Sequence, residues 1–120
     1  MTSFNTVVSN ELEEVHMIAG DEKRFYYTIY DEYGRLVNLT GDTCTVFIFP
    51  YGDVSTIVAT LSGSVSPAPT TGEFYVDFPS ASSSPLSGIY QQQIKIVDIG
   101  SNVHRPAQGK IVIFPTPQGV

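Results

Sequence analysis

The sequence predicts an all-β antiparallel sandwich of about seven to eight short strands. Three observations lead to this fold class. Apolar and polar residues alternate with a period of two in several segments, which is the pattern of half-buried strands. Clusters of Gly, Pro, Asp, Asn and Ser separate these segments at intervals of roughly 8–15 residues. Helical periodicity is almost absent, and no strand–helix–strand pattern occurs.

The first two strands are predicted at residues 15–19 and 23–31, with a turn at Gly20-Asp21 between them. The second strand has the clearest alternation of the chain. Its two faces carry Phe25, Tyr27 and Ile29 on one side and Tyr26, Thr28 and Tyr30 on the other. We expect the first set to point into the core. Turns at 31–34 and 40–42 follow, each with a glycine that can take a positive φ.

The next strand is predicted at 43–49 and ends at Pro50. Cys44, Val46 and Ile48 share one face, and Thr45, Phe47 and Phe49 share the other. A less regular strand is predicted at 54–61. Residues 62–71 are rich in Ser, Pro, Thr and Gly and predict a long exposed loop, with a short strand at 64–66 as an option.

The second half of the chain continues with a strand at 72–79, whose two faces carry Phe74, Val76 and Phe78 on one side and Glu73, Tyr75 and Asp77 on the other. Residues 80–88 predict a crossing connection that has room for one helical turn. A helix of an α+β fold is the alternative, but Ser-Ser-Ser-Pro is a poor helix interior. Strands are predicted at 89–99 and 108–115, with an irregular segment at 103–106.

The strands define one domain at residues 15–114, flanked by an N-terminal arm at 1–14 and a C-terminal tail at 115–120. The arm is polar and acidic, and four apolar side chains interrupt it: Phe4, Val7, Val8 and Leu12. Two interpretations stay open for the arm. It is a disordered extension, or it becomes ordered on a partner molecule.

Composition excludes several classes of function. The 120 residues carry 12 acids against 6 bases, a net charge of −6, so nucleic-acid binding is not expected. The longest apolar run, 46–49, is far shorter than a membrane-spanning helix, and the first residues lack the pattern of a signal peptide. A single Cys cannot form an internal disulfide. We therefore expect no membrane and no nucleic-acid partner.

Residues with catalytic or metal-binding potential form no recognisable motif, so the sequence predicts a protein that is not an enzyme and has no cofactor. Cys44 is expected in the core, and His16 and His104 are too scattered for a zinc site. The acids at 21–22, 31–32, 42 and 53 lie in or near turns, where Asp is a common turn former. Calcium binding by such loops is left open, although no EF-hand pattern is present.

Aromatic residues on the outward faces indicate an interaction surface. If the alternation places Phe25 and Cys44 inward, Tyr26, Tyr30, Phe47 and Phe49 point outward. Aromatic outer faces on two neighbouring strands would form an apolar patch, which is typical of protein–protein contacts. The alternatives are an inverted face assignment, or a loop or arm that covers these rings. A sugar-binding platform is a weaker option because the chain has no Trp.

Leu86, Gly88 and Tyr90 open a strand after a Ser-rich crossing, and this arrangement resembles the tyrosine corner of immunoglobulin-like domains. The order of elements, with Val-Asn-Leu-Thr-Gly at 37–41 and Gly-Ile-Tyr at 88–90, resembles one family in particular. It is similar to the immunoglobulin-like N-terminal domain of phage upper baseplate proteins and to related domains of tailed-phage virions. The resemblance covers roughly residues 15–114 and implies an immunoglobulin-like sandwich.

That resemblance implies a non-enzymatic structural protein of a tailed-phage virion, made in the host cytoplasm. Its role would be capsid decoration or an accessory function, or that of an adaptor in the tail, baseplate or neck. Its partners would be capsid, neck or tail subunits, and a homo-oligomer is also left open. The contact residues would be the apolar side chains of the arm and the four outward aromatics. The alternative is a host-surface or carbohydrate-binding module that uses exposed Tyr side chains and loop acids.

Overall fold

The computed structural model describes residues 14–31, 33–68 and 71–116, and these ranges form an all-β fold. The elements in chain order are β1 Val15–Ile18, β2 Lys23–Thr28, β3 Thr43–Pro50, β4 Ala59–Val65, β5 Glu73–Phe78, α1 Ser80–Ser83, β6 Gly88–Val97, β7 Val103–His104 and β8 Gln108–Phe114. The strands follow one another in space as β1-β8-β6-β3-β4-β5-β2, and β7 pairs with β6. The predicted fold class, an all-β immunoglobulin-like sandwich, is confirmed.

β4 connects the two layers of the sandwich. Its first half, residues 59–62, pairs with β3, and its second half, residues 63–65, pairs with β5. Sheet A therefore consists of β1, β8, β6, β7, β3 and the start of β4. Sheet B consists of the end of β4, β5 and β2. A strand that changes sheets in this way curls the two layers toward each other around one core.

Only β1 departs from the predicted antiparallel pairing among the described strands. It runs parallel to β8, with Val15 opposite Ile111 and Ile18 opposite Phe114. Parallel neighbours require a long connection, and here almost the whole domain lies between them. After β1 the chain turns at Gly20 and crosses to sheet B to begin β2. Alternation in the sequence fixes the faces of β1 but not its direction relative to a distant strand.

The strand boundaries predicted for residues 54–65 are wrong. The sequence predicts a strand at 54–61 and a loop from 62, but β4 runs from Ala59 to Val65, and 51–57 is exposed and irregular. Gly63 lies inside this strand at a position where a side chain would clash with its neighbours. A Cβ atom there would lie 2.7 Å from the Cys44 carbonyl oxygen and 3.0 Å from Cδ2 of Phe74. The close approach of β3 and β5 at the sheet change leaves no room for a side chain.

The core contains the residues that the alternation assigns to it. In β2 with Ile29, and in β3, β5, β6 and β8, the apolar side chains that alternation groups on one face are buried; the set is Phe25, Tyr27, Ile29, Cys44, Val46, Ile48, Phe74, Val76, Phe78, Ile94, Ile96, Ile111 and Ile113. Val37 and Leu39, from the stretch between β2 and β3, are buried with them. This apolar interior is the dominant stabilising element of the domain.

The helix α1 is held against the β1–β2 crossing by one buried hydroxyl. Ser83 Oγ donates to the Asp21 carbonyl at 2.8 Å and accepts from the Gly20 N–H at 3.0 Å. Ser83 is fully buried. These two bonds satisfy backbone groups of a turn that no strand pairs. One helical turn in this segment agrees with the space that the sequence leaves for it.

Tyr90 closes the corner that opens β6. Its hydroxyl donates to the Ser87 carbonyl at 3.1 Å and accepts from the Ser87 N–H at 3.2 Å. The ring and the side chain of Leu86 are partly buried and pack against the core. Gly88 has a φ of +117°, a backbone conformation that residues with a side chain rarely adopt, so a glycine is needed at this turn.

A buried polar contact spans the two sheets. The Tyr27 hydroxyl on β2 donates to Gln92 Oε1 on β6 at 2.5 Å. Gln92 is 1% exposed, and burial raises the pKa of Tyr27, which keeps this phenol protonated. Because both groups lie away from water, the loss of one partner leaves the other without its hydrogen bond.

We expect Tyr27→Phe to lower the free energy of unfolding by about 1–3 kcal/mol, because Gln92 then stays buried without its donor. The double variant Tyr27→Phe/Gln92→Leu is expected to recover most of this loss, since both polar groups are removed together. Urea unfolding of the two single variants and the double variant measures the coupling. Purely additive losses would show that the bond contributes nothing.

Candidate functional site

The predicted contact residues of the arm lie outside the described residues. These are Phe4, Val7, Val8 and Leu12. Their role in binding a partner stays a prediction. The outer faces of the two sheets are the candidate interaction surfaces in the described part of the chain.

The four predicted outward aromatics do not form one patch. Tyr26 and Tyr30 belong to β2 and the segment after it, and β2 pairs with β5. Phe47 and Phe49 belong to β3, which pairs with β4 and β6 in the other sheet. The expectation that these strands are neighbours is wrong, because the period of two determines which face a side chain takes but not which strand lies beside it.

Phe47 and Phe49 also differ from each other. Phe47 is half-buried on the outer face of sheet A, with Lys95 Nζ 5.9 Å from its ring centroid. Phe49 is 6% exposed, so its predicted exposure is wrong. The chain folds back beside Phe49, since the Val58 N–H donates to the Ile48 carbonyl at 2.8 Å. Neither ring is an open contact surface comparable to Tyr26.

Sheet B carries an open aromatic face, which we name the Tyr26–Tyr75 surface and define by Arg24, Tyr26, Tyr75 and Asp77. Tyr26 and Tyr75 are register partners on β2 and β5, and their ring centroids are 6.1 Å apart. Tyr26 is 74% exposed. The Arg24 guanidinium lies 4.1 Å from the Tyr75 ring centroid, in cation–π contact.

Arg24 is fixed in this position by Asp77. Its Nε donates to Asp77 Oδ1 at 2.7 Å and its Nη2 donates to Oδ2 at 3.2 Å, a two-pronged pairing. The Arg24 hydrogen bonds hold the pKa of Asp77 below its usual value, and the same pairing raises the pKa of Arg24. The pair is exposed, so it orders the surface more than it stabilises the fold.

Cys44 lacks the surroundings of a nucleophile. The thiol is buried on β3, and burial, with a smaller contribution from Asp42, raises its pKa to about 12. A thiol with that pKa is almost wholly protonated at neutral pH and is therefore unreactive. This placement agrees with the expectation that Cys44 is a core residue.

The acids of the turns use their oxygens to build those turns. Asp31 accepts from the N–H groups of Tyr33 and Arg35, and Asp53 accepts from Ser55. Asp98 accepts from the N–H groups of Gly100 and Asn102. These bonds lower the pKa of each carboxyl group; the largest effects come from Arg35 on Asp31, Ser55 on Asp53 and Asn102 on Asp98. Such bonds are the ordinary role of Asp in turns.

One acid at the end of sheet A has a different environment. Asp42 Oδ2 is buried and has no hydrogen-bond partner in the described part of the chain. Burial, together with the nearby Asp98 carboxylate, raises the pKa of Asp42. Asp98 in turn contacts His104 Nε2 at 3.1 Å. Among the described residues, no group of three His, Cys, Asp or Glu side chains has the geometry of a metal site.

The outer face of sheet A has a cleft of about 570 Å³, which we name the Tyr51 cleft. Within the described ranges it is lined by Glu14, Tyr51, Gly52, Gln91, Gln108, Gly109 and Lys110. Gln91 and Lys110 are register partners on β6 and β8. Tyr51 is 58% exposed at the start of the loop after β3, where its N–H donates to the Ile89 carbonyl at 3.0 Å.

The polar groups of the Tyr51 cleft are already in contact with one another. Gln91 Nε2 donates to Gln108 Oε1 at 2.7 Å. Lys110 Nζ lies 3.7 Å from Glu14 Oε1 and 5.2 Å from the Tyr51 ring centroid. The hydrogen bond from His16 holds the pKa of Glu14 below its usual value, with a smaller contribution from Lys110. Among its described residues, the cleft thus combines an exposed ring, two amides and a Lys110–Glu14 ion pair.

Sequence reasoning missed the residues of both surfaces apart from Tyr26. A signal for Tyr75 was present, because the alternation in 72–79 places it opposite Phe74 and Val76. In the same way, alternation in 89–99 places Gln91 on the face opposite to Gln92, Ile94 and Ile96. No local signal identifies Tyr51 and Glu14 as neighbours of Lys110, since they come from three separate parts of the chain.

Comparisons with known proteins give a fold but no family. No family model matches the chain, and no curated protein matches it. Among solved structures, the chain is similar to CopC from Methylosinus trichosporium OB3b, with 11% identity, a TM-score of 0.51 and coverage of 89% of each chain. At this identity the likeness concerns the architecture alone. It adds support for the β-sandwich class.

Within the described ranges, no helix has the length and apolar character that a membrane crossing requires.

Proposed function

We propose that this chain is a non-enzymatic structural protein of a tailed-phage virion and that it acts by protein–protein contact. The observation that carries the contact function is the Tyr26–Tyr75 surface on sheet B. The virion setting rests on the resemblance of 37–41 and 88–90 to tailed-phage domains. Capsid decoration and an adaptor role in tail, baseplate or neck both fit this proposal.

The composition of the Tyr26–Tyr75 surface supports a role in protein contact. Tyr and Arg are the residue types that dominate binding energy at interfaces, since they combine a large apolar area with polar groups. Here two Tyr rings and one Arg lie together on two paired strands. Asp77 keeps the guanidinium ordered before binding, which reduces the entropy that a partner must remove.

The position of the surface also supports this function. β2 is the last strand of sheet B in the described part of the chain, so a partner can reach the surface at the side of the sandwich. In a virion many copies bind at once, and symmetric repetition makes a modest contact effective. A small aromatic surface is sufficient under those conditions.

The first test is quantitative mass spectrometry of purified, salt-washed particles from the phage that encodes this chain. We expect the chain to be present at a fixed copy number. Many copies would support capsid decoration, and a few to about a dozen would support the neck, tail or baseplate, in line with the symmetry of those parts. Absence from clean particles would contradict the virion proposal.

A variant tests the surface itself. We expect Tyr26→Ser to reduce incorporation into particles by at least about tenfold, since loss of a hot-spot aromatic costs about 2 kcal/mol or more. Tyr33→Ser is the matched control, because Tyr33 is also 74% exposed and also lies beside an arginine, Arg35. Equal incorporation of both variants would show that the Tyr26–Tyr75 surface is not the contact.

A further inference from the structure

We infer that the Tyr51 cleft binds a neutral saccharide unit, which stacks on Tyr51 and forms hydrogen bonds with the surrounding polar side chains. This inference is independent of the virion proposal. It uses the opposite face of the sandwich, and none of its residues belongs to the Tyr26–Tyr75 surface.

The lining of the cleft favours a ligand with one apolar face and a polar rim. Apart from the Tyr51 ring, its side chains are amide, carboxylate or ammonium groups, and the remaining described residues are glycines. A lipid or an apolar peptide side chain would leave these polar groups without partners. A sugar ring presents C–H groups to an aromatic ring and hydroxyl groups around its edge, so it matches both parts of the lining.

The charge of the cleft favours a neutral ligand. Lys110 Nζ and Glu14 Oε1 are 3.7 Å apart, so the cleft carries charges of both signs side by side. An anion that approaches Lys110 also meets the Glu14 carboxylate, and a cation that approaches Glu14 also meets the Lys110 ammonium. A hydroxyl group meets no such conflict, because it donates to the carboxylate and accepts from the ammonium.

The amides are ordered in advance on rigid strands. The bond from Gln91 Nε2 to Gln108 Oε1 fixes both side chains on neighbouring strands of sheet A. Each amide retains further capacity, as Gln91 Oε1 is an acceptor and Gln108 Nε2 is a donor. Sites on strands hold their geometry better than sites on flexible loops, which reduces the entropic cost of binding. The volume of about 570 Å³ lies within the usual range of ligand pockets.

The test is an NMR titration of the isotope-labelled full chain with neutral oligosaccharides of glucose, galactose, mannose and N-acetylglucosamine. We expect saturable shifts of the Gly52, Gln91 and Gly109 amides with at least one of them, with a Kd of about 1 mM or lower. A sulfated oligosaccharide and an acidic peptide complete the panel. They test the argument from charge balance.

Two variants identify the groups that bind. Tyr51→Ala is expected to weaken the affinity at least about tenfold, and it keeps the backbone bond to Ile89. Gln108→Ala removes the amide pairing from a different part of the chain and is also expected to weaken binding. Tyr33→Ala, at another exposed Tyr with a cation beside its ring, is the control and should leave the Kd unchanged.

Three results of the titration would overturn the inference. These are the absence of saturable shifts with every neutral oligosaccharide, shifts confined to the Tyr26–Tyr75 surface, and binding of the sulfated oligosaccharide or the peptide alone. A Tyr51→Ala affinity equal to that of the parent would also reject Tyr51 as the platform. Because particle incorporation is measured through Tyr26, failure here and failure of the virion proposal are distinguishable.

Discussion

Replacing Gly72 by alanine is expected to lower the free energy of unfolding by about 2–5 kcal/mol, which is the sum of two costs. Gly72 has a φ of +70°, where a side chain is strained. A Cβ atom there would also lie 2.6 Å from the Ile29 carbonyl oxygen and 3.1 Å from that of Val37. These are backbone atoms of two neighbouring segments, so neither can rotate away.

Gly72 occupies a junction of three segments. The Ile29 N–H donates to the Gly72 carbonyl at 2.8 Å, and the Val37 N–H donates to the Ile29 carbonyl at 3.0 Å. A shift that relieves the clash would stretch these bonds, which join the end of β2 to the start of β5 and to the stretch at Val37. The strain is therefore expected to spread rather than to be absorbed locally.

Gly34→Ala is the matched control, because it separates the two costs. Gly34 has a φ of +77°, but no heavy atom of the described residues, its chain neighbours aside, lies within 4 Å of its Cβ position. Its substitution should cost only the backbone strain, about 1–2 kcal/mol. Urea unfolding followed by circular dichroism compares the two variants. Equal losses would show that crowding at Gly72 contributes nothing.

Much of the fold follows from the sequence because burial imposes a period of two on each strand. Alternation groups Phe25, Tyr27 and Ile29 on one face of the β2 segment and Phe74, Val76 and Phe78 on one face of β5, and all six are buried. The glycines at the turns are equally informative, since a positive φ at Gly34 and Gly41 favours that residue. Local patterns thus determine faces and turn positions.

The neighbours of each strand could not be predicted in the same way. The sequence places β2 before β3, but Lys23 to Thr28 pairs with β5, and Thr43 to Pro50 pairs with β6 and β4. Pairing depends on contacts between distant residues, and many orders satisfy the same alternation. Residues 62–65 show the same limit, because a Ser- and Gly-rich segment becomes a strand only when β5 supplies its hydrogen bonds.

The residues of the candidate site could be predicted only in part, for the same reason. Tyr26 could be identified from its strand alone, but its partner Tyr75 emerges only with the β2–β5 register. Phe49 has the same outward position in the pattern as Phe47, yet it is buried where the chain returns at Val58. The exposure of an outward side chain depends on what the loops cover, and loop paths leave little trace in local periodicity.

We expect Phe74→Ala to lower the free energy of unfolding by about 3–5 kcal/mol, the usual cost of removing a buried aromatic ring. Phe74 is almost completely buried, and its ring stacks on Tyr27 with centroids 4.9 Å apart. Its Cδ2 atom also covers the space above Gly63, where the two sheets join. Removing the ring opens a cavity beside the Tyr27–Gln92 bond, so packing and the polar contact weaken together.

Tyr75→Ala is the control for this prediction, because Tyr75 is the next residue of β5 and points to the opposite face. Its ring contacts Tyr26 and Arg24 on the outer surface, and such cross-strand pairs contribute only about 0.2–1 kcal/mol. A large loss for Phe74→Ala with a small loss for Tyr75→Ala would show that β5 separates stability on one face from recognition on the other. Comparable losses would mean that the Tyr26–Tyr75 surface stabilises sheet B. That result would contradict the proposal that this surface serves mainly for contact with a partner.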